Sequence, residues 1–409
     1  MSSLADSVSS LVRTRADLHR RGAASGHGRQ MHVAVDLLET AERASDPTEF
    51  YRVVHAVLAS AMKVIARADD SSGIIGGACR RLLELHPRAA AAAGTPPGRL
   101  VDWMIGFQFA GDVDYFELDP VAYAPALGAK GLLAYRARLD VVRASLGPVQ
   151  AGAESWSVPN RHERSVLDWN DRRLAVLDRD VDAIIRTHSR DGRVAVWLHD
   201  TARAFEEIGD HERAIDWARR AVDVPPPHQA LAAGNFWCEL LAKHRPGEVV
   251  EARLLLFRRW PSSTTAERVF RDAQPCWGDL QSEVMDTLAR HPREAVLFTL
   301  LTLKDPRLTW ERANTLALDD DSVWAEVVKA YEPIDPLAVL PVHRRLVERE
   351  LVEADASNYR LAARRLARMR TLAAGTSAAS WVDEYIAELR DTHRRRPRLQ
   401  REFDRAALP

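Results

Sequence analysis

Lysine is almost missing from this chain: five occur in 409 residues, against 52 arginines. GC-rich codons favour arginine and alanine, so the bias reads as base composition, and an isolated arginine says little about phosphate binding. Cysteine is scarce too. Cys79, Cys238 and Cys276 stand far apart, with no Cys-x-Cys or Cys-x-x-Cys pair among them. Neither a disulfide framework nor a zinc site is expected, and no metal ligand is assigned. Long apolar runs are also lacking. The longest, residues 295–303, contains Thr299 and Thr302, whereas a membrane-crossing helix needs about 20 apolar residues. Residues 1–19 hold no apolar core of signal-peptide length. A cytoplasmic protein that makes no use of a membrane is expected.

What is present fits a folded chain. Hydrophobic residues make up 46% and charged residues 28%, an ordinary globular balance. At 409 residues the chain exceeds one compact core of usual size. About two to three domains are expected, or one elongated array whose units pack only on their neighbours. The net charge of −1 hides an asymmetry: residues 356–409 hold 12 arginines against 6 acidic residues, so the tail is basic and the remainder acidic.

Helix starts are easy to find. Asp46-Pro47-Thr48-Glu49 offers an N-cap, a proline at the first helical position and an acidic third residue. Phe50, Val53, Val54, Val57, Leu58 and Ile65 then recur at helical spacing and define one buried face. Asp119-Pro120, Asp305-Pro306 and Asp335-Pro336 repeat the Asp-Pro start, and Asp319 to Ser322 opens a helix ending near Tyr331. His86-Pro87-Arg88 and His291-Pro292-Arg293 are read as helix stops, because proline cannot continue an α-helix. Gly73 to Gly77 reads as a flexible turn ahead of a helix through Leu82. No segment alternates apolar and polar residues as a strand would. The chain is predicted to be all-α: residues 1–146 an N-terminal helical domain, 147–159 a linker, and 160–409 a helical array.

Repetition supports the array. Between Val194 and Pro227, Ala202, Phe205, Gly209, Asp210, Ala214, Ile215, Ala221 and Pro226 fall where a tetratricopeptide (TPR) repeat places small, aromatic and turn residues. The alanines let two helices approach, Phe205 fills the gap, and Gly209 closes the first helix at positive φ. Gly247 to Ala252 repeats Gly209 to Ala214, and a weaker unit spans Leu346 to Met369 with Ala354-Asp355 at its turn. The predicted fold is a TPR-like α-solenoid of stacked antiparallel helix pairs.

Asp69-Asp70-Ser71-Ser72-Gly73 leading to Leu82-Leu83-Glu84-Leu85-His86 resembles the helical region of bacterial SWIM zinc-finger proteins. So do Ala214 through Trp260-Pro261-Ser262 and the tail from Trp381 to Phe403. The resemblance covers most of residues 60–409 and implies a fold of unknown function rather than an activity. The finger's own Cys-x-Cys and Cys-x-His pairs have no counterpart in this sequence.

Chemical motifs are sparse. His162-Glu163 and His211-Glu212 begin like His-Glu-x-x-His helices, but Val166 and Ile215 stand where the second ligand belongs. Gly26-His27-Gly28 is too short for a nucleotide loop. Asp112 and Asp114 start like a calcium loop, yet Phe116 and Tyr123 occupy ligand positions. Cys79 reads as a core thiol, and the tryptophans, Trp103 included, read as interhelix packing. The one charge feature of note is at the C-terminus. Arg360, Arg364 and Arg368 form a stripe at i, i+4, i+8, and Arg394, Arg395, Arg396 and Arg398 cluster beyond it. These seven form a candidate surface for an anionic partner. The expected function is a non-catalytic scaffold, free of cofactors, that holds a protein or peptide on a concave face. The alternative is a nucleic-acid accessory factor that uses the arginines.

Overall fold

The computed structural model describes residues 4–111, 113, 115–148 and 159–409. Among the described residues the regular structure is entirely helical. Most of the expected linker, and both Asp112 and Asp114, lie outside the described residues. Packing divides the chain into residues 1–230 and 231–409. The first unit contains α1 (Leu4–Val12), α2 (Arg21–Ala41), α3 (Pro47–Ile65), α4 (Ile74–Ala92), α5 (Pro97–Ala110) and α6 (Pro120–Ser145). There follow α7 (Arg161–Asp178), α8 (Val181–Ile184, continued by a π-helical turn), α9 (Ala195–Glu207) and α10 (His211–Ala221). The boundary falls inside α11 (Pro227–His244). The second unit continues with α12 (Val249–Arg259), α13 (Ser263–Asp272), α14 (Trp277–Leu288), α15 (Pro292–Leu297) and α16 (Pro306–Thr315). It ends with α17 (Asp321–Tyr331), α18 (Leu340–Glu350), α19 (Ala356–Ala373), α20 (Ala379–Thr392) and α21 (Pro397–Arg405).

The start of α3 follows from its sequence. Asp46 accepts the Glu49 amide at 2.9 Å and Pro47 takes the first position, where its missing N–H costs nothing. The face that begins with Phe50 is buried against α1 and α4. Each large side chain so buried contributes about 1.5–3 kcal/mol over exposure. Asp119, Asp305 and Asp320 cap α6, α16 and α17 in the same way. Asp335 accepts the amides of Leu337 and Ala338, but it opens only a turn, and α18 begins at Leu340.

Two readings of α4 are corrected. Pro87 lies inside the helix instead of ending it. Its ring is buried, and the preceding His86 is fixed by bonds to His55 and Tyr123 on neighbouring helices. Those tertiary contacts outweigh a local penalty of about 3 kcal/mol. Gly76 and Gly77 likewise belong to the helix, because the Asp70 carboxylate accepts the amides of Ile75 and Gly76 at 2.9 and 2.7 Å. Gly28 serves packing: a Cβ there would lie 2.6 Å from Ile74 Cγ2, so only glycine lets α2 approach the start of α4 this closely.

In the first predicted repeat, α9 and α10 pack on each other with Ala202, Phe205 and Ala214 fully buried. Gly209 turns the chain at φ +77°, and Asp210 caps α10. Gly247 sits in a 3-10 turn, Pro246–Glu248, without positive φ, so the second turn is built differently from the first. Asp355 caps α19, and α18 packs against α19. Ala214→Trp should overpack the α9–α10 contact, cost about 1–3 kcal/mol and lower the melting temperature. An unchanged thermal melt would contradict this packing.

Candidate functional site

The seven predicted arginines do not all stand ready for a partner. Arg368 binds Glu332 at 2.7 Å, and Arg396 donates to the Leu351 carbonyl at 2.7 Å. Arg360 and Arg364 donate to carbonyls one turn back, those of Ala356 and Arg360. Arg394 reaches Asp391 at 3.4 Å in an exposed pair, worth under about 1 kcal/mol. Arg395 and Arg398 are exposed and have no carboxylate partner among the described residues.

A second feature lies between α17, α18 and α19. A cleft of about 430 Å³ is lined by Ala325, Leu346, Val352 and Leu361, with Asp321, Arg349 and Glu353 also on its walls. Val352 is 72% and Leu361 37% exposed. Arg365 and Glu350, both largely buried, pair at 2.5 Å on its wall. Burial raises the Glu350 carboxyl despite that arginine, and its Oε2 finds no hydrogen-bond partner.

The third feature was not foreseen. A cleft of about 650 Å³ opens between α3 and α5. His55, half-buried on its wall, meets His86 (Nδ1 to Nε2, 2.9 Å), and His86 Nδ1 meets the Tyr123 hydroxyl at 2.9 Å. Trp103 lies against both imidazoles, its ring centroid 4.4 Å from that of His86 and 5.4 Å from that of His55. Tyr51 also lies against the pair, its ring centroid 5.6 Å from that of His55 and 5.2 Å from that of His86. α3, α4, α5 and α6 each supply one or two of these side chains.

The chain of bonds has a direction. Tyr123 is 1% exposed, and among the described residues its hydroxyl has only His86 to donate to. It therefore donates to His86 Nδ1, which puts the His86 proton on Nε2, where it is donated to His55 Nδ1. A neutral His55 then carries its proton on Nε2, at the cleft. Burial, with His55 alongside, pushes His86 down to about 3, and burial also lowers His55. Both rings are neutral at pH 7. Burial keeps the Tyr51 and Tyr123 phenols protonated by raising them, and it pushes the Cys79 thiol up to about 12, far from reactivity.

These residues were invisible as a motif. His55, His86 and Tyr123 are separated by 31 and 37 positions, and no spacing rule joins them. The one available signal was a histidine next to Pro87 on the buried face of an amphipathic stretch.

The buried histidines bear on acid stability. The unfolded chain protonates His86 near its ordinary 6.5, but the folded chain does so only near 3. Between those values the unfolded state binds more protons, so stability falls as pH drops from 7 to 4 and is indifferent to this group above pH 7. The loss from His86 should reach on the order of 3 kcal/mol at pH 4. His86→Gln should show a shallower fall in melting temperature over that range than the parent, and an equal slope would contradict a neutral buried imidazole.

A family model described as a family of unknown function (DUF6880) matches residues 6–399. No curated protein and no solved structure matches the chain. The family match runs through both packing units and takes in all three surface features, so the chain belongs to the DUF6880 family.

Proposed function

We propose that this chain is a non-catalytic interaction protein, a TPR-like α-solenoid of antiparallel helix pairs that holds a protein or peptide partner. The observation that carries this reading is the cleft at α17–α19, whose mixed walls leave apolar side chains exposed. Val352 and Leu361 stay exposed on its wall, Leu346 lies within it, and charges of both signs surround them. Apolar anchors framed by mixed charge are the usual anatomy of a protein interface. Glu353 would orient the partner, and an apolar side chain of the partner would fill the space. The neutral histidines of the other cleft suit binding better than acid–base chemistry. The resemblance of most of residues 60–409 to the helical region of SWIM proteins suggests one kind of partner, a separate chain that carries a zinc finger.

A photo-crosslinking residue in place of Val352 should capture a discrete partner in the native host. Leu361→Glu should abolish that product and leave the melting temperature unchanged, with any measured affinity falling at least about tenfold. The same product in the Leu361→Glu background would sink the proposal.

The second reading, nucleic-acid association, is favoured by Arg360, Arg395 and Arg398, none of which has a carboxylate partner among the described residues. It is weakened by the internal bonds of Arg368 and Arg396. Changing Arg394, Arg395, Arg396 and Arg398 to Gln should alter little, with no nucleic-acid affinity tighter than about 10⁻⁴ M at physiological salt. Tight binding whose salt slope drops by about 0.7–0.9 per lost arginine would reverse the ranking.

A further inference from the structure

The cleft between α3 and α5 presents an unusual inventory. Its walls are aromatic, formed by Tyr51, His55 and Trp103. The polar groups set among them are donors. The hydrogen-bond chain from Tyr123 leaves His55 with its proton on Nε2, and the Tyr51 phenol is protonated. Thr95 is 8% exposed and lines the cleft, with its Oγ1 enclosed beside the Tyr51 hydroxyl.

Charge on the rim completes the pattern. Asp46 is committed as the α3 cap, and Glu49 is paired with Arg52 at 3.5 Å. Arg99 is exposed at the mouth with no carboxylate partner among the described residues. The lining therefore offers donors and one uncommitted cation beside flat aromatic surfaces. A volume of about 650 Å³ lies within the ordinary range for small-ligand sites.

We infer that this cleft is a binding site for a small aromatic carboxylate. The ring lies against Trp103 and Tyr51. The carboxylate accepts from His55 and is paired by Arg99, a planar fork suited to that group. His86 and Tyr123 act as positioning residues that fix which nitrogen of His55 carries the proton. The site lies wholly within residues 46–123 and owes nothing to the α17–α19 cleft, so either reading stands or falls without the other.

The test is a calorimetric titration of the full chain with benzoate and with indole-3-carboxylate, set against phenylmethanol and acetate. At least one aromatic carboxylate should bind saturably with a sub-millimolar Kd. Phenylmethanol, which lacks the carboxylate, and acetate, which lacks the ring, should each bind at least about tenfold more weakly. Arg99→Gln, at an exposed position, should melt as before while affinity drops about tenfold. Three outcomes would overturn the inference: no saturable binding of either acid up to about 10 mM, binding undiminished in Arg99→Gln, or phenylmethanol equal to benzoate.

Discussion

An aspartate carboxylate that accepts the orphan amides at a helix start is the interaction on which the rest of this structure depends. Asp46, Asp119, Asp180, Asp210, Asp305, Asp320 and Asp355 all do so. Each bond is worth only about 1 kcal/mol, but its effect is positional. A cap fixes where a helix begins, and at 3.6 residues per turn that decides which side chains face inward. Because α3 starts at Pro47, Val54, Val57 and Leu58 enter the core while Tyr51 and His55 reach the cleft. A start displaced by two residues would turn the same sequence by more than half a revolution. Asp119 goes further, since it caps α6 and also holds Arg173, which in turn grips Glu207 at the end of α9.

That use of arginine explains much of the composition. Arg81 reaches from α4 to Asp36 and Glu39 on α2 and also contacts His32. Arg253, 6% exposed, ties α12 to Asp272 at 2.7 Å. A lysine ammonium is a single point of charge, whereas a guanidinium can hold two groups at once in a fixed plane. Whatever first drove lysine out of the sequence, the fold has made many of the replacements into braces between helices. A basic tail in the sequence is thus a poor guide to a basic surface, as Arg368 and Arg396 demonstrate.

Local signals were legible and convergent ones were not. The caps at Asp46 and Asp305 were read correctly because cap, proline and apolar period lie within a few residues of one another. The close approach of α9 and α10 was legible for the same reason, its alanines and Gly209 lying within one short segment. Pro87 was misread because the local rule is sound and the deciding contacts, to His55 and Tyr123, come from helices far away in sequence. The α3–α5 cleft was missed for the same cause. Its members are common residues, each unremarked where it stands, and only folding brings Thr95, Trp103 and His55 to one place.

The proline within α4 has a wider implication. This helix opens on a left-handed Gly73, carries Gly76 and Gly77 in its first turn and Pro87 near its end, so its sequence is weak at both ends although residues 78–85 favour a helix. Those ends are held from outside, by Asp70 at the start and by α2, α3 and α6 packed along it. The segment that carries the innermost histidine thus leans on its neighbours where the proline stands, and the arrangement at the cleft is inherited from the packing of the whole unit.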